Sequence, residues 1–179
     1  MGHVSSVPAR TRPMSTAYAA ESWAVFGASV ATAAAALAGL LFIAVSINLK
    51  QILEIPQLPS RAAQTLILFV TPLVGALLLI VPGQARAALG GELLGTGLAI
   101  GSVHLWLYRR AERGPEDTRW RRLVGRIVPA AMSCGCMVLA GATLAAAAGG
   151  GLYWLVPSVL AALLFGLVNV WVLLVEILR

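Results

Sequence analysis

Charge is scarce in this chain. Only 11% of its 179 residues are Asp, Glu, Lys or Arg, against about 25% in an ordinary soluble domain. Histidine and cysteine occur twice each, and Asp117 is the sole aspartate. These shortages exclude several chemistries. An intramembrane aspartyl protease needs two aspartates, and a bis-histidine haem needs two histidines within apolar segments, where only His104 lies. The H-E-x-x-H zinc motif, the P-loop and the dinucleotide fingerprint are all missing. Ser102 and Ser133 lack a glycine-rich nucleophile motif. No catalytic set, cofactor site or metal site is therefore expected, and the chain is not expected to be an enzyme.

Apolar residues are what the sequence has in quantity, 59% of the total, with a mean hydropathy of +0.87. A water-soluble fold of this size has too little interior to hide that much apolar surface. Inside lipid every backbone polar group must be paired within the protein, which leaves helices or closed barrels. Barrel strands would alternate apolar with polar residues. The runs here are continuous and rich in Ala and Leu, so they predict helices of roughly 20 residues, long enough to cross the hydrocarbon layer. The reading is an all-α, polytopic integral membrane bundle of five transmembrane helices, over about 23–49, 61–81, 85–108, 123–148 and 152–178. Residues 1–20, polar and carrying Pro8 and Pro13, are expected to form a disordered tail ahead of a single domain, 21–179. The first apolar run is too long for a signal-peptide core and is expected to remain as a span. Pro56 and Pro59 are expected to end helical geometry between the first two spans, and Thr71–Pro72 to kink the second.

The net charge of +6 is concentrated. Seven of the thirteen basic residues fall between Arg109 and Arg126, in the connector after the third span. Placed on the cytoplasmic side, that connector joins Lys50, Arg61 and Arg179 in a count of ten basic residues, against Arg10, Arg12 and Arg86 outside. The positive-inside rule then puts the N-terminus outside and the C-terminus in the cytoplasm, in a plasma membrane of the bacterial inner-membrane type. Trp23, Tyr153 and Trp154 fall near the outer boundary and Trp106, Tyr108 and Trp120 near the inner one, as aromatic belts do. The same connector suits anionic lipid headgroups, so its basicity needs no nucleic-acid partner. Cys134 and Cys136 stand about 200° apart on a helix, which excludes a disulfide between them and suits small packing residues.

Small and polar residues collect on one side of four spans. The stripes are Ala28, Thr32, Ala35, Gly39, Phe42 and Ser46 in the first; Ala88, Gly91, Glu92, Gly95, Thr96, Ala99 and Ser102 in the third; Pro129, Ser133, Cys136, Ala140, Thr143 and Ala147 in the fourth; and Ser158, Ala162, Gly166, Asn169 and Glu176 in the fifth. Small residues let helix backbones approach closely, so these stripes are expected to be the seams of the bundle, or else a water-lined path. Glu92 is the most informative single residue, because a carboxylate in a span costs up to about 3 kcal/mol and must be protonated, paired or wet. Glu92, Thr96, Ser102 and Asn169 are the candidate pore or proton/ion site. Lys50, Glu54, Arg61 and Glu176 are expected at the cytoplasmic boundary, as anchors or as a gate. His104 lies off the small-residue stripe and is expected to hydrogen-bond at a helix interface.

Two functional readings follow. The first is a small homo-oligomeric channel or transport protein, since five short-looped helices leave little room for a wide path inside one protomer. The second is a non-conducting accessory or assembly subunit that packs its Gly/Ala faces against another membrane protein. A lipid-modifying enzyme is the least favoured reading, for want of a paired catalytic site.

Overall fold

A computed structural model describes residues 16–110, 125 and 127–177, and every regular element among them is helical. The order is a 3-10 turn (Ala20–Trp23), α1 (Ala24–Ile47), α2 (Leu49–Glu54), α3 (Leu58–Ile80), α4 (Arg86–Arg110), α5 (Val128–Ala146), a second 3-10 turn (Gly151–Trp154) and α6 (Leu155–Ile177). The expected disorder of residues 1–15, the arginine connector from 111 to 124 with Arg126, and Arg179 lie outside the described residues.

Among the described residues, four segments are long and apolar enough to cross a membrane: Ala20–Ile47, Leu58–Ile80, Val128–Ala146 and Gly151–Val175. That is one fewer than the five expected. Helix α4 has 25 residues, about 37 Å at 1.5 Å per residue, but its glycines together with Glu92, Thr96, Ser102 and His104 dilute its apolar content.

Prolines set several helix boundaries. Ile55 and Val81 each precede a proline and are extended, at ψ 108° and 119°, because the following ring disfavours the α conformation. They end α2 and α3. Pro59, expected as a stop, instead stands in the first turn of α3, where its missing N–H is not needed. Pro72 lies inside α3 without interrupting it, and the Thr71 hydroxyl donates to the Ile67 carbonyl at 2.8 Å.

Helix α3 is the centre of the bundle, with contacts to every other long helix. Half of its span is buried, against 17% of the first span, which leans mainly on α3. Helices α3 and α4 run antiparallel, as do α4 and α5, so the molecule has a hairpin end (Trp23, Ile80, Arg86, Gly151) and an arginine end (Leu58, Arg109, Val128). At the hairpin end Leu79, Leu89, Leu93, Met137, Leu144, Leu152 and Leu155 form the main core. At the arginine end Ile52, Leu58, Ala62 and Leu173 form a smaller one.

The tightest contact joins α4 to α5, backbone to backbone. A Cβ added to Gly90 would stand 2.9 Å from the Gly141 carbonyl and from the Ala145 nitrogen, and one added to Gly97 would stand 3.2 Å from the Cys134 carbonyl. A Cβ on Gly141 would collide with the backbone of Gly90 and Leu94. Absent side chains let the helices come this close, where dispersion supplies the packing energy that lipid does not.

Residues 16–19 belong to this packed unit rather than to the expected tail. The Leu152 N–H donates to the Ala17 carbonyl at 2.9 Å, and the Trp23 indole N–H to the Thr16 carbonyl at 2.9 Å. Trp23 packs edge-on against Tyr153 at 5.0 Å. The turn they meet runs through Gly149, Gly150 and Gly151, all at positive φ, and a side chain at Gly151 would strike Ala17 and Tyr18. Before it, Ala147 adopts φ 55° to close α5.

Substitutions separate these contacts. Gly141→Val should destabilise the detergent-solubilised protein by about 2 to 3 kcal/mol through overpacking. Gly95→Val, with nothing within 4 Å of its added Cβ, should change protomer stability by no more than about 0.5 kcal/mol. Ala147→Gly should stabilise by up to about 1 kcal/mol, by relieving the left-handed Cβ contact. Denaturant unfolding followed by tryptophan fluorescence measures all three.

Candidate functional site

The glycine contact fixes the rotation of α4. With Gly90 and Gly97 against α5, Leu89, Leu93 and His104 are buried, while Ala88, Gly91, Glu92, Gly95, Ala99 and Ser102 are exposed. The expected seam of α4 is therefore displaced by about one residue, or 100°. The stripe of α1 is corrected likewise. Ala28, Thr32, Ala35, Gly39, Phe42 and Ser46 are all exposed, and Gly27, Val30, Ala34 and Leu41 are buried. In α5 and α6 the expected faces pack in part: Pro129, Ser133 and Ala140, and Ser158, Ala162 and Gly166, are buried, while Cys136, Thr143 and Asn169 are half-buried and Ala147 is exposed. There the Ser158 hydroxyl donates to the Ser133 carbonyl at 2.6 Å across the interface.

The exposed hydroxyls are satisfied locally. Thr32 donates to the Ala28 carbonyl at 2.9 Å, Ser46 to Phe42 at 2.8 Å and Ser102 to Leu98 at 2.7 Å. Such back-bonding to the preceding turn removes a donor that lipid would otherwise leave unpaired.

The residues singled out from sequence fall into separate places. Glu92 is exposed near the hairpin end and accepts a hydrogen bond from the Gln84 side chain. Thr96 is half-buried one turn further along, and Ser102 lies on the same helix toward the arginine end. Asn169 is far from Glu92. It stands at the arginine end with Arg61, Gln64, Thr65 and Gly125 around a crevice of about 10 Å³, no larger than a single water requires. Lys50 and Glu54 are exposed one turn apart on α2, and Glu176 lies on the last turn of α6. The structure thus brings Arg61 and Asn169 together and leaves Glu92 at the opposite end.

A larger cavity than this crevice lies elsewhere, between α3, α4 and α5 at the arginine end. It measures about 220 Å³ and is lined by Gln64, Gly101, His104, Leu105, Tyr108, Ile127, Ala130, Ala131 and Cys134. Its walls are chiefly apolar, with polar groups from His104, Gln64, Tyr108 and the Cys134 thiol. His104 is 7% exposed and Gln64 is 8% exposed, and the Nε2 atom of each is buried with no hydrogen-bond partner among the described residues. Leu105 and Ala131, on facing helices, are exposed and form its rim. Gln64 received no notice in the sequence, although an amide inside an apolar run is itself a signal. Cys134 and Cys136 are both free, the first buried and the second partly so.

Comparison with known proteins finds no matching family model, curated relative or solved structure.

Buried polar groups with and without partners should respond oppositely. Ser158→Ala breaks a buried hydrogen bond and should lower stability by about 1 kcal/mol. His104→Leu and Gln64→Leu each remove an unpaired buried nitrogen and should leave stability of the ligand-free protein unchanged or raised. Chemical denaturation of the three variants side by side checks the sign.

Proposed function

We propose that this chain is a five-span membrane protein that assembles with copies of itself into a small channel or transporter, with the outward face of α4 lining the shared path. The fifth crossing is α4. Helix α3 ends at the hairpin end and α5 begins at the arginine end, so the chain between them traverses the full depth of the bundle. With the arginine end cytoplasmic, the N-terminus is outside and the C-terminus inside, in the plasma membrane.

The observation that carries the functional reading is the orientation of α4. It is the least apolar of the long helices, yet it turns Glu92, Gly95 and Ser102 outward. Facing lipid, an ionised Glu92 would be costly. Facing a polar axis between protomers, it would be hydrated, and Gly91 and Gly95 would let neighbouring helices approach. Closed cyclic symmetry is the usual way that copies of one chain build such an axis, and rings of acidic side chains select cations.

A second reading rests on α1. Its exposed Ala28, Thr32, Ala35 and Gly39 form another small-residue face suited to a different membrane protein, as an accessory subunit would need. Lipid headgroup binding by the arginine connector is compatible with either.

Liposome flux and crosslinking test the first reading together. In a Cys134→Ala/Cys136→Ala background, Gly95→Cys should yield oxidised dimers in the membrane, and proteoliposomes should pass monovalent cations. Glu92→Gln should cut that flux by about tenfold or change its selectivity. Conductance and selectivity both unchanged by Glu92→Gln would remove Glu92 from the path. Absence of both flux and crosslinks would favour the accessory reading.

A further inference from the structure

We propose that the cavity between α3, α4 and α5 is a binding site for an apolar membrane molecule that presents a carbonyl oxygen to Gln64 and His104. This site does not depend on whether the protein conducts.

Size, polarity and depth agree. A cavity of about 220 Å³ exceeds the roughly 150 Å³ that admits a benzene ring in an apolar core. Apolar walls bearing a few placed polar groups are the usual make-up of a small-molecule pocket. The Gln64 amide nitrogen is a donor only, and a neutral imidazole nitrogen donates in one of its two tautomers. With the His104 proton on Nε2, the two buried nitrogens without partners among the described residues are both donors, and a carbonyl oxygen, with two lone pairs, would satisfy them together. A single water would fill only part of this volume and leave the hydrocarbon walls uncovered.

The rim formed by Leu105 and Ala131 lies between two helices, so an apolar tail can leave sideways into the bilayer. His104 stands six residues before the end of α4 at Arg110, about 9 Å along the helix axis. That depth matches the boundary between hydrocarbon and headgroups. Just beyond it, Arg109 and Arg110 are exposed, the latter stacked 4.4 Å over the Trp106 ring. Two membrane constituents carry a carbonyl on an apolar body at this level: the ring of a quinone and the fatty ester of a phospholipid.

The chain has two histidines, so His3→Ala leaves His104 as the single imidazole reporter in ¹⁵N-histidine-labelled protein. Delipidated full-length protein in detergent would be titrated separately with decyl-benzoquinone and with dioleoyl phosphatidylglycerol. A saturable shift of the His104 Nε2 resonance with the quinone alone assigns the site to a quinone. A shift with the phospholipid alone assigns it to a lipid ester, and a shift with both shows that the carbonyl is what is recognised. Gln64→Leu should weaken binding about fivefold or more, the equivalent of one hydrogen bond. Ala131→Trp, which blocks the rim, should abolish it. No shift with either probe, or a shift that survives both substitutions at full affinity, overturns the proposal.

Discussion

The backbone contact between Gly90 and Gly97 on α4 and Gly141 on α5 decides how the rest of this molecule presents itself. In water a helix is oriented by its apolar stripe, because burial of that stripe is favourable. In a bilayer the solvent is as apolar as leucine, and that cue is lost. Orientation passes to whichever face allows the closest approach. On α4 that face is the glycine one, and its contact with α5 sets the rotation of all 25 residues.

Two consequences follow from that single rotation. Turned inward, His104 meets Gln64 across a mostly apolar cavity, leaving two nitrogens without partners among the described residues. Turned outward, Glu92, Gly95 and Ser102 lie on the free surface of the bundle. One packing interaction thus creates both an internal cavity at the arginine end and an exposed polar face that begins near the hairpin end. The two proposed sites differ in chemistry: one would take a neutral acceptor in a mostly apolar pocket, the other a hydrated ion or a neighbouring helix.

Much of the fold was legible in the sequence. Long apolar runs located every long helix, and the faces of α5 and α6 were readable in part, through Ser133 and Ala140 and through Ser158, Ala162 and Gly166, while Ala147 of the expected α5 stripe is exposed. Helix α4 has two small-residue sides, Gly90 with Gly97 and Gly101, and Gly91 with Gly95. Periodicity alone cannot say which of them meets a neighbour, because both satisfy the same rule. In α1 the buried face mixes Gly27 and Ala34 with the bulky Val30 and Leu41, so a search for small residues passed over it. Pro59 was misread because a proline that ends one helix and a proline that begins the next look alike until the turn is built. The cavity was invisible for a different reason. Gln64 and His104 are 40 positions apart in the chain, and only the antiparallel pairing of α3 and α4 brings them to one level.

The rotation of α4 can be measured directly with one native thiol. A Cβ at Gly101 would lie 3.6 Å from the Cβ of Cys134, within the range of about 3.5 to 4.5 Å that a disulfide spans. In a Cys136→Ala background, Gly101→Cys should oxidise to an intramolecular bond with Cys134, seen as the loss of both free thiols by mass spectrometry, while Ser102→Cys should remain reduced. A bond formed by Ser102→Cys, with Gly101→Cys left free, would place the other face of α4 against α5 and contradict the account.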